Sequence, residues 1–188
     1  MTSPAAPATP TSPADIEALI NALIRDVADF PKPGIGFKDI TPLLEDAAGF
    51  RACIEALAAR IAERRPDALI AIESRGFIFG APLALVLGLP LIVVRKPGKL
   101  PRRTESVAYQ LEYGEDRLEV HADAITAGKR HVIVDDVLAT GGTAAAVASL
   151  VTRLGGVLAG FAFPIELAFL GGRSRLGGVP VDSLVTYR

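Results

Sequence analysis

The chain has 188 residues, of which 50% are apolar and 22% charged, and its formal net charge is −1. This composition is typical of one globular domain with a full hydrophobic core. The near-zero charge argues against a sequence-independent nucleic-acid binder, which needs a marked basic excess. A single cysteine excludes an intrachain disulfide, and no apolar run reaches the roughly 18 residues that span a bilayer. We therefore expect a cytoplasmic protein with no nucleic-acid or membrane partner.

The N-terminal segment, residues 1–12, consists almost entirely of Pro, Ala, Thr and Ser, which predicts a disordered tail. It has neither the basic nor the apolar region of a signal peptide. Ser12-Pro13-Ala14-Asp15 is typical of a capped helix start with proline at the first position. Apolar residues at helical spacing predict that this helix extends to Val27. Residues 13–188 are expected to form a single domain.

A proline- and glycine-rich loop, Phe30–Gly36, ends this first helical region. A second amphipathic helix is indicated by apolar residues at helical spacing, namely Phe50, Cys53, Ile54, Leu57 and Ile61.

Beyond Pro66, short apolar runs alternate with helical or glycine-rich segments. Four of these runs have the composition of strands buried on both faces, namely Ala68–Ile72, Leu91–Val94, Val132–Val134 and Val157–Phe163. Helices are expected between them at Phe79–Leu87 and Thr143–Leu154. This alternation predicts an α/β fold with a mainly parallel central sheet flanked by helices.

One segment departs from that pattern. Residues 107–122 alternate in polarity around Gly114-Glu115-Asp116, which predicts an antiparallel hairpin centred on these three residues. The segment is too polar for a core strand, and we expect the hairpin to project from the sheet.

The stretch after the third predicted strand carries the first candidate binding site. Asp135 and Asp136 come at the carboxyl end of that strand, where open α/β sheets bind their ligands. The turn Ala139–Thr143 then opens a helix, and its glycines, backbone amides and threonine hydroxyls suit a phosphate. No lysine precedes Thr143, so the turn is not a Walker A loop, and it suits a monophosphate. The alternative is a plain strand–turn–helix corner in which Asp acts as a turn former.

The two aspartates are consistent with a phosphate that is attached to a sugar. Carboxylates accept hydrogen bonds from vicinal ribose hydroxyls, and they stabilise the oxocarbenium-like centre of glycosyl transfer. The ligand indicated is a ribose 5-phosphate that reacts at its anomeric carbon.

Two cationic loops follow the first and second predicted strands. Ser74, Arg75 and Gly76 come after Ala68–Ile72, and five cations lie within Arg95–Arg103. Taken alone, either loop is as well explained by a solvated surface, but together they suit a second polyanion, such as a pyrophosphate.

These motifs resemble those of a known family. Val132–Thr143 resembles the 5-phosphoribosyl-1-pyrophosphate (PRPP) signature of type I phosphoribosyltransferases. Four further segments resemble the adenine-specific branch in that branch's order, namely Phe30–Pro42, Ser74–Gly80, Arg95–Pro101 and Leu111–Gly114. The resemblance implies the type I phosphoribosyltransferase fold. It also implies Mg²⁺-dependent transfer of the phosphoribosyl group from PRPP to adenine, which gives AMP and pyrophosphate in purine salvage.

The resemblance also implies roles for residues at the phosphate and ribose sites. The 5-phosphate would be held by the turn residues Ala139, Thr140, Gly141, Gly142 and Thr143. Asp135 and Asp136 would face the ribose hydroxyls and the anomeric centre. Pyrophosphate would be bound by Ser74, Arg75, Gly76, Arg95, Lys96 and Lys99. The last three of these would come from the partner subunit of a homodimer. Magnesium would arrive on PRPP, with no certain protein ligand.

The remaining implied roles concern the base. Phe37, Lys38 and Leu167 would line the adenine site. Glu112 and Tyr113 would be catalytic residues on a loop that closes over the reactants, with Glu112 exchanging a proton with the purine. Two alternatives stay open, namely a phosphoribosyltransferase for another base and a non-catalytic regulator that senses PRPP.

Overall fold

The computed structural model describes residues 12–111 and 114–188. The described residues fall into two compact units, which lie within residues 1–56 and within residues 57–188. Among the described residues, none of the helices is long and apolar enough to cross a membrane.

The first unit begins with helix α1, Pro13–Ala22. Its start is capped as the sequence predicts, because the Ser12 hydroxyl accepts a hydrogen bond from the Asp15 amide and the Asp15 carboxylate accepts one from the Ser12 amide, both at 3.2 Å. The prediction that this helix continues to Val27 is wrong. Arg25–Val27 forms strand β1, whose backbone pairs with a strand farther along the chain instead of continuing the helical ladder.

That partner, β2, is Phe37–Asp39, and it runs antiparallel to β1. The loop Phe30–Gly36 connects the two strands, as its composition predicts, and the Gly34 amide donates a 2.6 Å hydrogen bond to the Asp29 carboxylate. Helix α2 is Thr41–Glu45, and the predicted second helix is present as α3, Ala47–Glu63.

The second unit is an α/β structure with a parallel sheet. In chain order its elements are β3 Ala68–Ile72, α4 Gly76–Leu87, β4 Leu91–Val94, β5 Thr104–Leu111, β6 Gly114–His121, β7 Arg130–Val134, β8 Val137–Leu138, α5 Gly142–Arg153, β9 Val157–Leu167 and β10 Val181–Tyr187. The sheet order is β10-β9-β7-β3-β4, and the short β8 pairs with β9. All these pairings are parallel, which confirms the predicted fold class.

Burial in the sheet follows strand position. All five residues of β3 are buried, because the strand has neighbours on both sides. The prediction that Leu91–Val94 is buried on both faces is wrong, since only Val94 is fully buried. The reason is that β4 is an edge strand.

The predicted hairpin is present as the antiparallel pair β5–β6. Its centre differs from the prediction, because Tyr109 pairs with Asp116 and Leu111 with Gly114, so that Gly114–Asp116 are strand residues. The hairpin also contributes to the core, since Leu118 and Val120 are each only 1% exposed within the main hydrophobic cluster. The prediction from polarity therefore applies only to the outer half of the hairpin, because apolar side chains near its base pack into the core.

Candidate functional site

The predicted cationic and acidic loops meet at one edge of the parallel sheet. A cavity of about 360 Å³ lies there, lined by Glu73, Ser74, Arg75, Lys96, Tyr109, Asp116, Asp135, Asp136 and Thr143. The reason is topological, because β3, β4 and β7 are parallel and adjacent, so that their carboxyl ends deliver these loops to the same place. Six of the nine lining residues are among the predicted site residues.

A smaller cavity of about 70 Å³ adjoins the first, and the turn from Ala139 to Thr143 lines it. Gly141 adopts φ +77°, which favours glycine. The first hydrogen bond of α5 joins the Ala145 amide to the Gly141 carbonyl at 2.9 Å. The amides before Ala145 therefore have no acceptor within the helix, and they suit an anion in this cavity.

The two aspartates after β7 form a closely spaced acidic pair. The Asp136 amide donates a 2.9 Å hydrogen bond to Asp135 Oδ1. Burial and the neighbouring Asp136 charge raise the pKa of Asp135 well above its usual value, while the Arg75 charge opposes them. The Arg75 Nε atom lies 2.6 Å from Asp136 Oδ2 in an ion pair that compensates this buried carboxylate. A proton or a cationic ligand would relieve the remaining repulsion.

Gly76 lets helix α4 start close to this pair. A Cβ atom at Gly76 would lie 2.9 Å from both Asp135 Oδ1 and the Val134 carbonyl oxygen. Gly76 is therefore required for the approach of α4 to the end of β7, a steric role at the predicted pyrophosphate loop.

The predicted cations of the second basic loop differ in position. Lys96 lines the larger cavity, and its Nζ atom lies 3.3 Å from Asp116 Oδ2. Arg95 does not line this cavity. Its Nε atom lies 3.3 Å from Glu73 Oε2, and its guanidinium carbon lies 5.9 Å from the centre of the Phe77 ring. Lys99 is also outside that lining, and its carbonyl accepts a hydrogen bond from Arg95. Of these three cations, Lys96 is the one that a ligand in the cavity would meet directly.

Besides Glu73, two lining residues, Tyr109 and Asp116, were not identified as site residues from the sequence. The Tyr109 hydroxyl lies 3.3 Å from Asp116 Oδ2, and the two residues are directly opposite each other in the hairpin. Burial and then the Asp116 charge raise the pKa of Tyr109, against a hydrogen bond with Thr143. The hydrogen bond from the Arg117 amide, aided by Lys96, lowers the pKa of Asp116. The signal that could have found them is the strand register, which places both beside the basic loop.

The predicted base-site residues lie in different elements. Phe37 and Lys38 are on β2 of the first unit, where Phe37 packs edge-on against Phe30 with ring centres 5.0 Å apart. Lys38 forms an ion pair with Asp26. Leu167 is the last residue of β9 and is 9% exposed. Glu112 and Tyr113 lie outside the described residues.

The described residues contain no cluster of three or more His, Cys, Asp or Glu side chains that could hold a metal ion. The carboxylates of Asp135 and Asp136 line the larger cavity beside Glu73 and Asp116. This donor set suits a hard cation that takes most of its ligands from water and substrate oxygens.

Comparisons with known proteins agree with this geometry. Residues 40–169 match the family model for the phosphoribosyl transferase domain. An adenine phosphoribosyltransferase from a Synechococcus species is 57% identical over 89% of this chain and 98% of its own length. The crystal structure of adenine phosphoribosyltransferase from Thermoanaerobacter pseudethanolicus superposes with a TM-score of 0.88 at 53% identity, covering 92% of this chain and 99% of that one.

A third similar protein is known with ligands. The Saccharomyces cerevisiae adenine phosphoribosyltransferase, complexed with an imino-altritol bisphosphate and adenine, has a TM-score of 0.87 at 39% identity, covering 91% of this chain and 99% of that one. High identity over nearly the full length of these relatives accompanies a phosphate loop and a cationic cavity at the sheet edge. The chain therefore belongs to the adenine phosphoribosyltransferases of the type I phosphoribosyltransferase family.

Proposed function

We propose that this chain performs its family's reaction at the sheet-edge cavity. The chain transfers the 5-phosphoribosyl group from PRPP to adenine and releases AMP and pyrophosphate. The observation that carries the assignment to this cavity is that two anion-binding surfaces lie next to each other. Arg75 and Lys96 supply cations, while the Ala139–Thr143 turn supplies amides for a second anion. A sugar with phosphate at one end and pyrophosphate at the other matches this arrangement.

Binding in this scheme divides between the two cavities. The 5-phosphate lies in the smaller cavity, where the amides of the turn and the hydroxyls of Thr140 and Thr143 donate to it. Pyrophosphate lies in the larger one, against Ser74, Arg75 and Lys96. The distance between the two anion sites then fixes the ribose over Asp135 and Asp136, which supports in-line attack by the base.

Chemistry requires stabilisation of positive charge at the anomeric carbon as pyrophosphate departs. The Asp135–Asp136 pair supports this role because the ion pair with Arg75 fixes the Asp136 carboxylate at the cavity before the reaction begins. Burial and the Asp136 charge raise the pKa of Asp135 and so favour its neutral form, whereas a positive charge developing nearby would favour its ionised form. The chain itself thus contributes positioning and electrostatics, and no covalent nucleophile is needed.

Magnesium is part of the proposal, and the carboxylates of Asp135 and Asp136 are the residues that would approach it. When bound, the ion would neutralise charge on the pyrophosphate leaving group. Glu112 is proposed to exchange a proton with the purine, an assignment supported by the family resemblance of Leu111–Gly114.

A homodimer and a cytoplasmic location complete the proposal. Helix α4 carries apolar side chains that are exposed in the single chain, since Leu85 is 83% and Val86 57% exposed. Such a surface suits burial against a second copy. The one cysteine, Cys53, is buried and its pKa is raised to about 12 by that burial, which supports an unreactive structural thiol. Sedimentation velocity tests the dimer, and a monomer at micromolar concentration would contradict it.

The function is tested by a base-panel assay. The purified chain, PRPP and magnesium are incubated separately with adenine, hypoxanthine, guanine and orotate, and nucleotide formation is followed. We expect AMP to form from adenine alone. Chelation of magnesium should abolish product formation, and adding magnesium back should restore it. Turnover with another base would overturn the adenine assignment, and PRPP binding without any turnover would favour a regulatory protein.

The proton-exchange role has its own test. Glu112→Gln should lower kcat, because the amide cannot accept or return the purine proton, while the KM for PRPP changes little. Near-normal kcat in this variant would contradict the role of Glu112.

A further inference from the structure

The phosphate-loop turn packs against a second turn that has no assigned role. A Cβ atom at Gly141 would lie 2.5 Å from the Gly172 carbonyl oxygen, and one at Gly172 would collide with the Ala139 carbonyl oxygen. The two backbones are therefore in direct contact, with glycine required on both sides. Any movement of the Gly171–Arg173 segment would be transmitted to the amides that line the smaller cavity.

This second turn is attached to the sheet through one side chain. Arg173 donates from Nε and Nη2 to the two carboxylate oxygens of Glu166, both at 2.6 Å. It also donates to the Val181 carbonyl at 3.1 Å and to the Ser183 hydroxyl at 3.1 Å. A single guanidinium thus joins the turn to strands β9 and β10.

The acceptor of this attachment is itself held rigidly. Glu166 is 3% exposed, and the Ser183 hydroxyl donates a 2.7 Å hydrogen bond to its Oε2 atom. Planar, bidentate Arg–carboxylate pairs fix orientation as well as distance. The buried Glu166 carboxylate accepts hydrogen bonds from three donors, so it holds Arg173 and the turn that contains it in a fixed position.

We propose that Arg173 is a positioning residue for the 5-phosphate site, acting through Gly172 on the Ala139–Thr143 turn from its anchor on Glu166. The inference rests on the proposed function of that turn as the phosphate cradle. Arg173 touches no substrate in this scheme, and its effect is on the placement of the amides. Its loss should therefore weaken the binding of any ligand that carries the 5-phosphate, by more than it slows the reaction of bound substrate.

Ribose 5-phosphate is the probe that isolates this effect, because it carries the 5-phosphate without pyrophosphate or base. Calorimetric titration of Arg173→Gln should give binding weakened roughly tenfold, the order expected when a binding group is displaced by a fraction of an ångström. The KM for PRPP should rise by a similar factor, while kcat at saturating PRPP changes less than about threefold. Arg173→Lys keeps the charge without the planar fork and should be intermediate.

A matched control separates positioning from stability. Arg64 forms an equivalent two-bond pair with Asp182 on β10, at 2.8 and 3.0 Å, without contacting the phosphate turn. Arg64→Gln should lower the thermal midpoint comparably and leave ribose 5-phosphate affinity unchanged. If Arg173→Gln does not fold, Ser183→Ala removes only one hydroxyl from the network and should weaken binding about threefold by the same displacement argument.

Two results would overturn the proposal. One is ribose 5-phosphate affinity within twofold of the parent in folded Arg173→Gln, and the other is an equal loss in Arg64→Gln. Failure of the proposed function would look different. In that case the parent chain would form no AMP from adenine and PRPP, whatever the variants bind.

Discussion

The contact between the two glycine turns makes Gly141→Ala a sharp test of how the phosphate site is built. Gly141 has φ +77°, and its added methyl group would lie 2.5 Å from the Gly172 carbonyl oxygen. Two separate penalties follow. One is the left-handed backbone strain that any alanine suffers, and the other is the displacement needed to relieve the collision.

The strain can be expressed as a free energy and the collision as a displacement of the turn. Left-handed backbone costs a non-glycine residue roughly 1–2 kcal/mol. Real Cβ atoms essentially never approach other heavy atoms within 3.0 Å, so the turn or its neighbour must move by about 0.5 Å at least. A misplacement of about 1 Å can reduce catalysis by about 100-fold, and half that displacement corresponds to about tenfold. We expect kcat/KM for PRPP to fall about tenfold or more in Gly141→Ala.

Gly128→Ala is the matched control, because Gly128 has φ +75° and nothing lies within 4 Å of its added Cβ atom. The assay is the initial rate of AMP formation at saturating adenine and varied PRPP, with urea unfolding of each variant. Both variants should lose the stability that left-handed strain costs, and Gly141→Ala should lose more because of the collision, while only Gly141→Ala loses activity. Gly141→Ala with more than half the parental kcat/KM, or an equal loss in Gly128→Ala, would refute the reasoning.

Three further predictions concern charged groups. Arg75→Gln removes the partner of buried Asp136 and should lower the free energy of unfolding by about 1–3 kcal/mol at pH 7. Burial acts to raise the pKa of Glu166, but hydrogen bonds from its partners outweigh it and lower that pKa below the usual 4.5. The stability that Glu166 contributes is therefore present above its unfolded pKa and lost as pH falls through the lower folded value, and Glu166→Gln should remove this part of the acid transition in urea unfolding. Asp116→Asn frees Lys96 from its ion pair, so pyrophosphate should bind more tightly in calorimetry, while stability changes by less than about 1 kcal/mol.

The Asp116 and Arg75 predictions have the following control and contrary outcomes. Asp123→Asn breaks the comparable exposed pair with Arg102 and should leave pyrophosphate affinity unchanged. Equal affinities for Asp116→Asn and the parent would mean that Lys96 does not contact pyrophosphate. Unchanged stability in Arg75→Gln would contradict its role in compensating the acidic pair.

The accuracy of the sequence-based fold prediction follows the strength of the local pattern. Ala68–Ile72 was predicted with its observed bounds, because a fully apolar run suits a strand that has a neighbour on each side. Strand β10, Val181–Tyr187, was missed, because its mixed polar and apolar residues suit an edge position that local pattern does not distinguish from a loop. Val27 was assigned to a helix, since helical spacing cannot reveal that β2 pairs with it.

The site was predictable where consecutive residues carry the chemistry. Asp135, Asp136 and the following glycine turn form one contiguous motif, and the parallel sheet brings Arg75 and Lys96 to it. Tyr109 could not be found in this way, because its place in the cavity depends on hairpin register and on packing against α5. The attachment of Arg173 to Glu166 was missed for the same physical reason, since it joins a turn to a buried strand position.

The buried base of the β5–β6 hairpin has a consequence for how the cavity can be covered. Because Leu118 and Val120 belong to the main core, their backbone amides should exchange with solvent deuterium only when the whole unit unfolds. Protection should decline along each strand from this root towards Gly114. Any closure over bound substrates must then be a bending of the outer part of the two strands, because the base of the hairpin stays packed in the core. Tyr109 and Asp116, which pair across the hairpin, would move with the outer part.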